Sequence, residues 1–178
     1  QISSTNTNFV IDFESTVSNV NNGAFTAAGF SSSPSNGQLN SNAWSITGMS
    51  DGNVIFGGTG TTGDNARGTS TGGVSTGGVY AFDTGSNTIL GFQPGGSDFT
   101  PGTLVLKVQN QSGETLDRIN FSYTLWVKND QGYSSLITPE FSTDNSSYNS
   151  IENTSYTTVA VADGSPAWVS VTFQATIY

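Results

Sequence analysis

The longest alternations of apolar and polar residues lie in the last third of the chain. Over residues 118–128 (RINFSYTLWVK), Ile119, Phe121, Tyr123, Leu125 and Val127 occupy one phase, and Asn120, Ser122, Thr124, Trp126 and Lys128 the other. Residues 168–178 repeat the pattern, with Val169, Val171, Phe173, Ala175 and Ile177 set against Trp168, Ser170, Thr172, Gln174 and Thr176. A period of two belongs to a strand with one buried face, so both segments are predicted strands with the first-named sets inward. The same rule predicts strands at 103–110, with Leu104, Leu106 and Val108 inward, and at 9–13, with Phe9, Ile11 and Phe13 inward. Shorter runs near Trp44, at 54–56, 79–82, 88–92 and 156–161, are further strands. Residues 136–142 form a weaker one, because Pro139 has no N–H to give to a ladder. Residues 15–42 carry scattered single apolar positions such as Phe25, Phe30 and Leu39, and read as loops with room for one short strand.

No segment holds a 3.6-residue period over three turns, and turn signals such as SDG, QPGGSD and QSGE recur between the runs. Many short strands at such spacing predict an all-β protein, a β-sandwich of jelly-roll type in one domain spanning residues 1–178. Between the runs at 54–56 and 79–82 lies a long insert of Gly, Thr and Ser around Asp64 and Arg67. Gly admits positive φ, and Thr and Ser hydroxyls bond the local backbone. The insert is therefore expected to be ordered, with Asp64 and Arg67 fixing it against the sheet.

Composition narrows the function classes. Only 10% of residues are charged, with four Lys and Arg against 13 Asp and Glu and a net charge of −9. Without a basic cluster to neutralise phosphates, a nucleic-acid partner is excluded, and strongly anionic polysaccharides are disfavoured. No run approaches the roughly 20 apolar residues of a membrane span. The absence of His and Cys removes the usual general base and the thiol nucleophile, and no glutamate makes an evident pair with an aspartate for glycoside chemistry. The chain is expected not to be an enzyme. Its polar start at Gln1 and its wealth of Asn, Ser and Thr suit a secreted protein after leader removal, or a segment cut from a longer chain.

The segments NNGAF (21–25), QLNSNAWSITGMSDG (38–52), FGGTGTTGDNARGTSTGGVSTGGVYAF (56–82) and ILGFQPGGSDFTPG (89–102), with RINFSYTLWVKND and PEFSTDNSSY, together resemble an N-terminal β-sandwich module of secreted Bacteroidetes multidomain proteins. The resemblance covers most of the chain. It departs from that pattern at Asn65, where an aromatic or apolar residue commonly precedes Ala-Arg-Gly. It implies a secreted or cell-surface, non-catalytic accessory domain, monomeric and attached to further domains, with glycan binding as its role and no established site.

Three sets of residues carry candidate binding chemistry. Trp126 and Trp168 sit on the polar phases of their strands, with Thr124, Lys128 and Gln174 as neighbours able to bond hydroxyls; indole stacks on the C–H faces of sugar rings, and grouped exposed aromatics need a reason. Tyr133, Tyr148 and Asp130 lie in loops predicted to gather at one end of the scaffold, where binding residues often collect. Asp12, Glu14, Asp51, Asp64, Asp144 and Asp163 offer hard oxygens for a structural Ca2+, with Asp12, Glu14 and Asp163 the favoured ligands, although D-x-E on a strand is not a metal loop. The sequence thus points to a carbohydrate-binding module for a neutral or weakly charged polysaccharide. The alternative is a structural or adhesive spacer with no glycan ligand, in which the tryptophans are buried.

Overall fold

A computed structural model describes residues 1–129 and 131–178. The chain is all-β, and among the described residues the one helical element is a single 3-10 turn at Gly63–Asn65. The described residues fall into two compact units, Gln1–Glu114 and Thr115–Tyr178.

Unit 1 contains eight strands: β1 (Asn21–Asn22), β2 (Phe30–Ser31), β3 (Gln38–Asn40), β4 (Trp44–Thr47), β5 (Thr69–Ser70), β6 (Gly78–Asp83), β7 (Thr88–Gln93) and β8 (Thr103–Leu106). They make a mixed sheet β1-β3-β2, an antiparallel pair β4-β8, and a sheet β5-β6-β7 in which β5 is parallel to β6. The run VYAF reads as a strand covered on both faces, and Val79, Tyr80, Ala81 and Phe82 are all buried. The core joins Val79 and Ala81 to Ile46, Val54, Trp44, Phe25, Phe30 and Leu39.

Four expectations are corrected here. Residues 9–13 do not form a strand. The Asp12 carboxylate accepts the Glu14 N–H (3.1 Å) and the Ser15 hydroxyl (3.3 Å), and Phe13 sits at φ 62. This local turn outcompetes a ladder and leaves Phe9 exposed, while Ile11 and Phe13 still pack on the core. Conversely, residues 15–42 are not merely loops. They supply β1, β2 and β3 and five of the buried core residues, Val20, Phe25, Ala27, Phe30 and Leu39. Val54 makes only an isolated bridge to Ile46, and β8 ends at Leu106, so Val108 is half exposed rather than inward.

The Gly-Thr insert is anchored by a buried polar knot. Asp64 is 1% exposed, and its Oδ2 accepts the Ser50 hydroxyl (2.7 Å) and the Asp51 N–H (2.8 Å). Its Oδ1 pairs with Arg67 Nη2, whose Nε donates to the Gly77 carbonyl (2.9 Å). The Ser50 N–H donates to Asp98 Oδ1 (2.8 Å). Gly77 and Gly78 are required where the knot meets β6. A Cβ on Gly77 would fall 2.3 Å from Asp98 Oδ2, and Gly78, at φ 134, would put one 2.6 Å from the Asp64 carbonyl. The expected role of Asp64 and Arg67 as a clamp on the insert matches this geometry.

Unit 2 contains β9 (Ile119–Val127), β10 (Leu136–Ile137), β11 (Glu140–Phe141), β12 (Asn149–Ser150), β13 (Tyr156–Thr157) and β14 (Val169–Ile177). The two long alternating segments pair antiparallel over all nine residues. β10 and β13, then β11 and β12, form one interrupted hairpin. The interruption falls at Pro139, whose missing N–H separates β10 from β11 and whose carbonyl accepts the Ile151 N–H (3.0 Å).

Candidate functional site

The β9–β14 register decides which side chains share a face. Tyr123 lies opposite Phe173 and Leu125 opposite Val171. On this apolar side Tyr123 and Phe173 stack at 5.1 Å, and Tyr156 of β13 meets Phe173 edge-on at 6.3 Å. The Tyr123 hydroxyl donates to the Thr154 carbonyl, and burial pushes its phenol up. This packing fixes the inward phase of both strands and so commits the other phase outward.

The outward face is built from paired rows. Trp126 lies opposite Ser170, Thr124 opposite Thr172, Ser122 opposite Gln174 and Asn120 opposite Thr176. The Thr124 and Thr172 hydroxyls bond at 3.0 Å, and the Thr176 hydroxyl donates to Asn120 Oδ1 at 2.8 Å. One step beyond the Val127–Val169 pair, Lys128 Nζ stands 5.7 Å from the centre of the Trp168 ring, within cation–π range. Trp168 immediately precedes β14, two residues before Ser170, so extending the register places the two indoles diagonally, a spacing of about 7–8 Å between backbones. Ser122, Thr124, Ser170, Thr172 and Gln174 are exposed, both tryptophans are half-buried, and no carboxylate belongs to the rows.

Five of the eight predicted ligand residues, Thr124, Trp126, Lys128, Trp168 and Gln174, therefore come together on one face of one ladder. Ser122, Ser170, Thr172, Asn120 and Thr176 join them. Their alternation was visible within each strand, but only the register between the strands sets them side by side.

The loop set is not assembled as expected. Tyr133 precedes β10, is 79% exposed, and its carbonyl accepts a hydrogen bond from Asn129 Nδ2 (3.0 Å). Tyr148 adjoins β12 at the far tip of the hairpin, where its hydroxyl donates to Asn145 Oδ1 (2.7 Å). The length of the hairpin separates the two tyrosines rather than gathering them at one end. Asp130 lies outside the described residues.

At the hairpin tip, Asp144 Oδ1 accepts the N–H groups of Ser147 and Ser146 (both 2.8 Å) and the Ser142 hydroxyl (2.9 Å). These bonds favour the charged form, the two backbone donors most, and hold its carboxyl down at about 2. A pH titration of the side-chain carboxyl by NMR is expected to place its midpoint there. A midpoint near the ordinary 3.9 would mean that the loop is not so held.

The acidic set is divided between the two units. Asp12 serves the turn described above, and Glu14 Oε1 accepts the Thr88 N–H (3.2 Å). In unit 2, Asp163 accepts the Ser165 N–H (2.9 Å). No three His, Cys, Asp or Glu side chains gather to hold a metal among the described residues. Compared with family models, with curated proteins and with solved structures, the chain matches none.

Proposed function

We propose that the chain is a non-catalytic carbohydrate-binding module, of β-sandwich type and carried by a secreted or cell-surface protein, that takes a neutral or weakly charged polysaccharide. The observation that carries this reading is the outward face of β9 and β14. Trp126 and Trp168 lie diagonally there among exposed Thr, Ser and Gln side chains, with no carboxylate in the rows. The indoles offer apolar faces to sugar C–H groups, and the hydroxyl and amide rows offer donors and acceptors to sugar hydroxyls. Cross-strand hydrogen bonds hold Thr124 to Thr172 and Asn120 to Thr176, so part of the side-chain entropy is lost before a ligand arrives. The lack of His and Cys supports a role in binding rather than in catalysis.

Affinity electrophoresis and calorimetry against a panel of neutral and acidic polysaccharides test this reading. Trp126→Ala and Trp168→Ala are each expected to weaken binding at least tenfold, or about 1.4 kcal/mol. Tyr133→Ala and Tyr148→Ala should change it little. Unchanged affinity in both tryptophan variants would reject the face as the site. Failure of the whole panel to bind would reject the module and leave the spacer reading.

A further inference from the structure

Unit 1 carries a concave feature distant in sequence from β9 and β14. A cleft of about 540 Å³ opens between the segment 51–53 and the segment 59–65. Asp51, Gly52, Thr59, Thr61, Thr62 and Asn65 line it, and no Lys, Arg or aromatic side chain does. The lining is rich in oxygen and carries one full charge, the Asp51 carboxylate.

Asn65 is the informative residue. Its side chain is packed between two glycines of the cleft: Nδ2 donates to the Gly52 carbonyl (3.0 Å), and a Cβ on Gly60 would fall 3.2 Å from its Cγ. Asn65 is 4% exposed, and its Oδ1 has no hydrogen-bond partner. Leaving a buried acceptor unmade is costly, and native structures keep few such groups. The amide cannot relieve this by turning over, because the Gly52 carbonyl requires the NH2 where it stands. No donor among the described residues reaches Oδ1, so what satisfies it comes from solution, a water O–H or a cation.

We infer that this cleft is a site for a hard divalent cation of the Ca2+ type. Asp51 and Asn65 Oδ1 would be its side-chain ligands, and the threonine hydroxyls would supply further oxygen. Carboxylate, amide and hydroxyl oxygens are the ligands such ions prefer, and the net charge of −9 raises the local cation concentration. One carboxylate oxygen is already engaged, since Asp51 Oδ2 accepts the Asp64 N–H (3.1 Å). The other joins a largely neutral donor set, which sets the affinity in the weak range of extracellular modules, about 10⁻⁴–10⁻³ M. The inference does not rest on glycan binding, and it moves the expected cation away from Asp12, Glu14 and Asp163.

The test is a CaCl2 titration of the chelator-stripped full chain, followed by amide NMR. Saturable shifts are expected at residues 51–53 and 59–65, with half-saturation in that range. Mg2+ should bind more weakly, because it dehydrates reluctantly and demands near-octahedral geometry. Asp51→Asn keeps an acceptor for the Asp64 N–H while removing the charge, and should weaken binding about tenfold. Asp12→Asn and Asp163→Asn should not change it. No saturable shift, shifts centred on residues 12–15 or 163–165, or full affinity in Asp51→Asn would each overturn the assignment. The wild-type shift map decides the question even if the Asp51 variant does not fold.

Discussion

Replacing Asp64 with Ala is expected to destabilise unit 1 by about 3–5 kcal/mol, the range for breaking a buried ion pair by removing one partner. The side chain is 1% exposed and satisfies three donors at once: the Arg67 guanidinium, the Ser50 hydroxyl and the Asp51 N–H. Ala leaves the Ser50 hydroxyl, the Asp51 N–H and Arg67 Nη2 without this acceptor beneath the Gly-Thr insert, while Arg67 Nε keeps the Gly77 carbonyl. Domains are stable by only about 5–15 kcal/mol, so the urea midpoint should drop sharply. Asp64→Asn retains an oxygen for the Ser50 and Asp51 donors but lacks the charge that Arg67 faces, and should cost about half as much.

The pH dependence separates these effects. Burial alone would raise the Asp64 carboxyl, but the hydrogen bonds from the Ser50 hydroxyl and the Asp51 N–H, with the Arg67 charge, outweigh it and hold it below its ordinary value. A carboxyl lowered in the folded state contributes stability that is present above its unfolded pKa of about 3.9. That contribution disappears as pH falls through the folded value. The wild type should therefore lose stability in this acid window, and Asp64→Asn should lack that part of the loss. Equal acid slopes for the two proteins, or an unchanged midpoint for Asp64→Ala, would show that the knot does not hold the insert.

How much of this was legible beforehand differs from segment to segment. β9 and β14 were readable because nine residues of strict alternation survive only where one face packs, and Tyr123, Leu125, Val171 and Phe173 do pack. β6 was readable from VYAF because a strand buried on both faces needs no alternation. The stretch 15–42 was not. Its apolar residues are singletons because the chain turns every few residues, with Asn19 at φ 64 and Ala27 at φ 51. Asn21 organises one of these turns, giving Nδ2 to the carbonyls of Ser15 and Gly23 (both 2.7 Å) while its Oδ1 accepts the Val17 N–H (2.9 Å). No periodic signal describes a core built from such turns. The outward face was half legible: each strand announces its own phase, but nothing in the sequence states that Trp126 meets Ser170, 44 positions away. The cleft was not legible at all, since Asn65 and Asp51 become neighbours only through the Asp64 knot.

The same contrast yields the second large prediction. Phe30→Ala should destabilise unit 1 by about 3–5 kcal/mol, whereas Phe9→Ala should cost less than about 1 kcal/mol. By alternation alone the order would be reversed, because Phe9 heads a five-residue pattern and Phe30 stands in a polar stretch. In the fold, Phe30 is fully buried and Phe9 is 45% exposed. Removing the Phe30 ring would leave a cavity that its surroundings cannot close cheaply. The Phe30 backbone is tied to Gly60 in both directions (2.8 and 3.0 Å), and the residue beneath it is held too. A Cβ on Gly29, at φ 95, would fall 2.2 Å from the Gly60 carbonyl, so β2 cannot slide inward without a backbone clash. Urea unfolding of the two variants beside the wild type measures both costs. A Phe9 loss equal to or larger than that of Phe30 would mean that residues 9–13 enter the core as a strand after all, and that the turn set by Asp12 does not persist in solution.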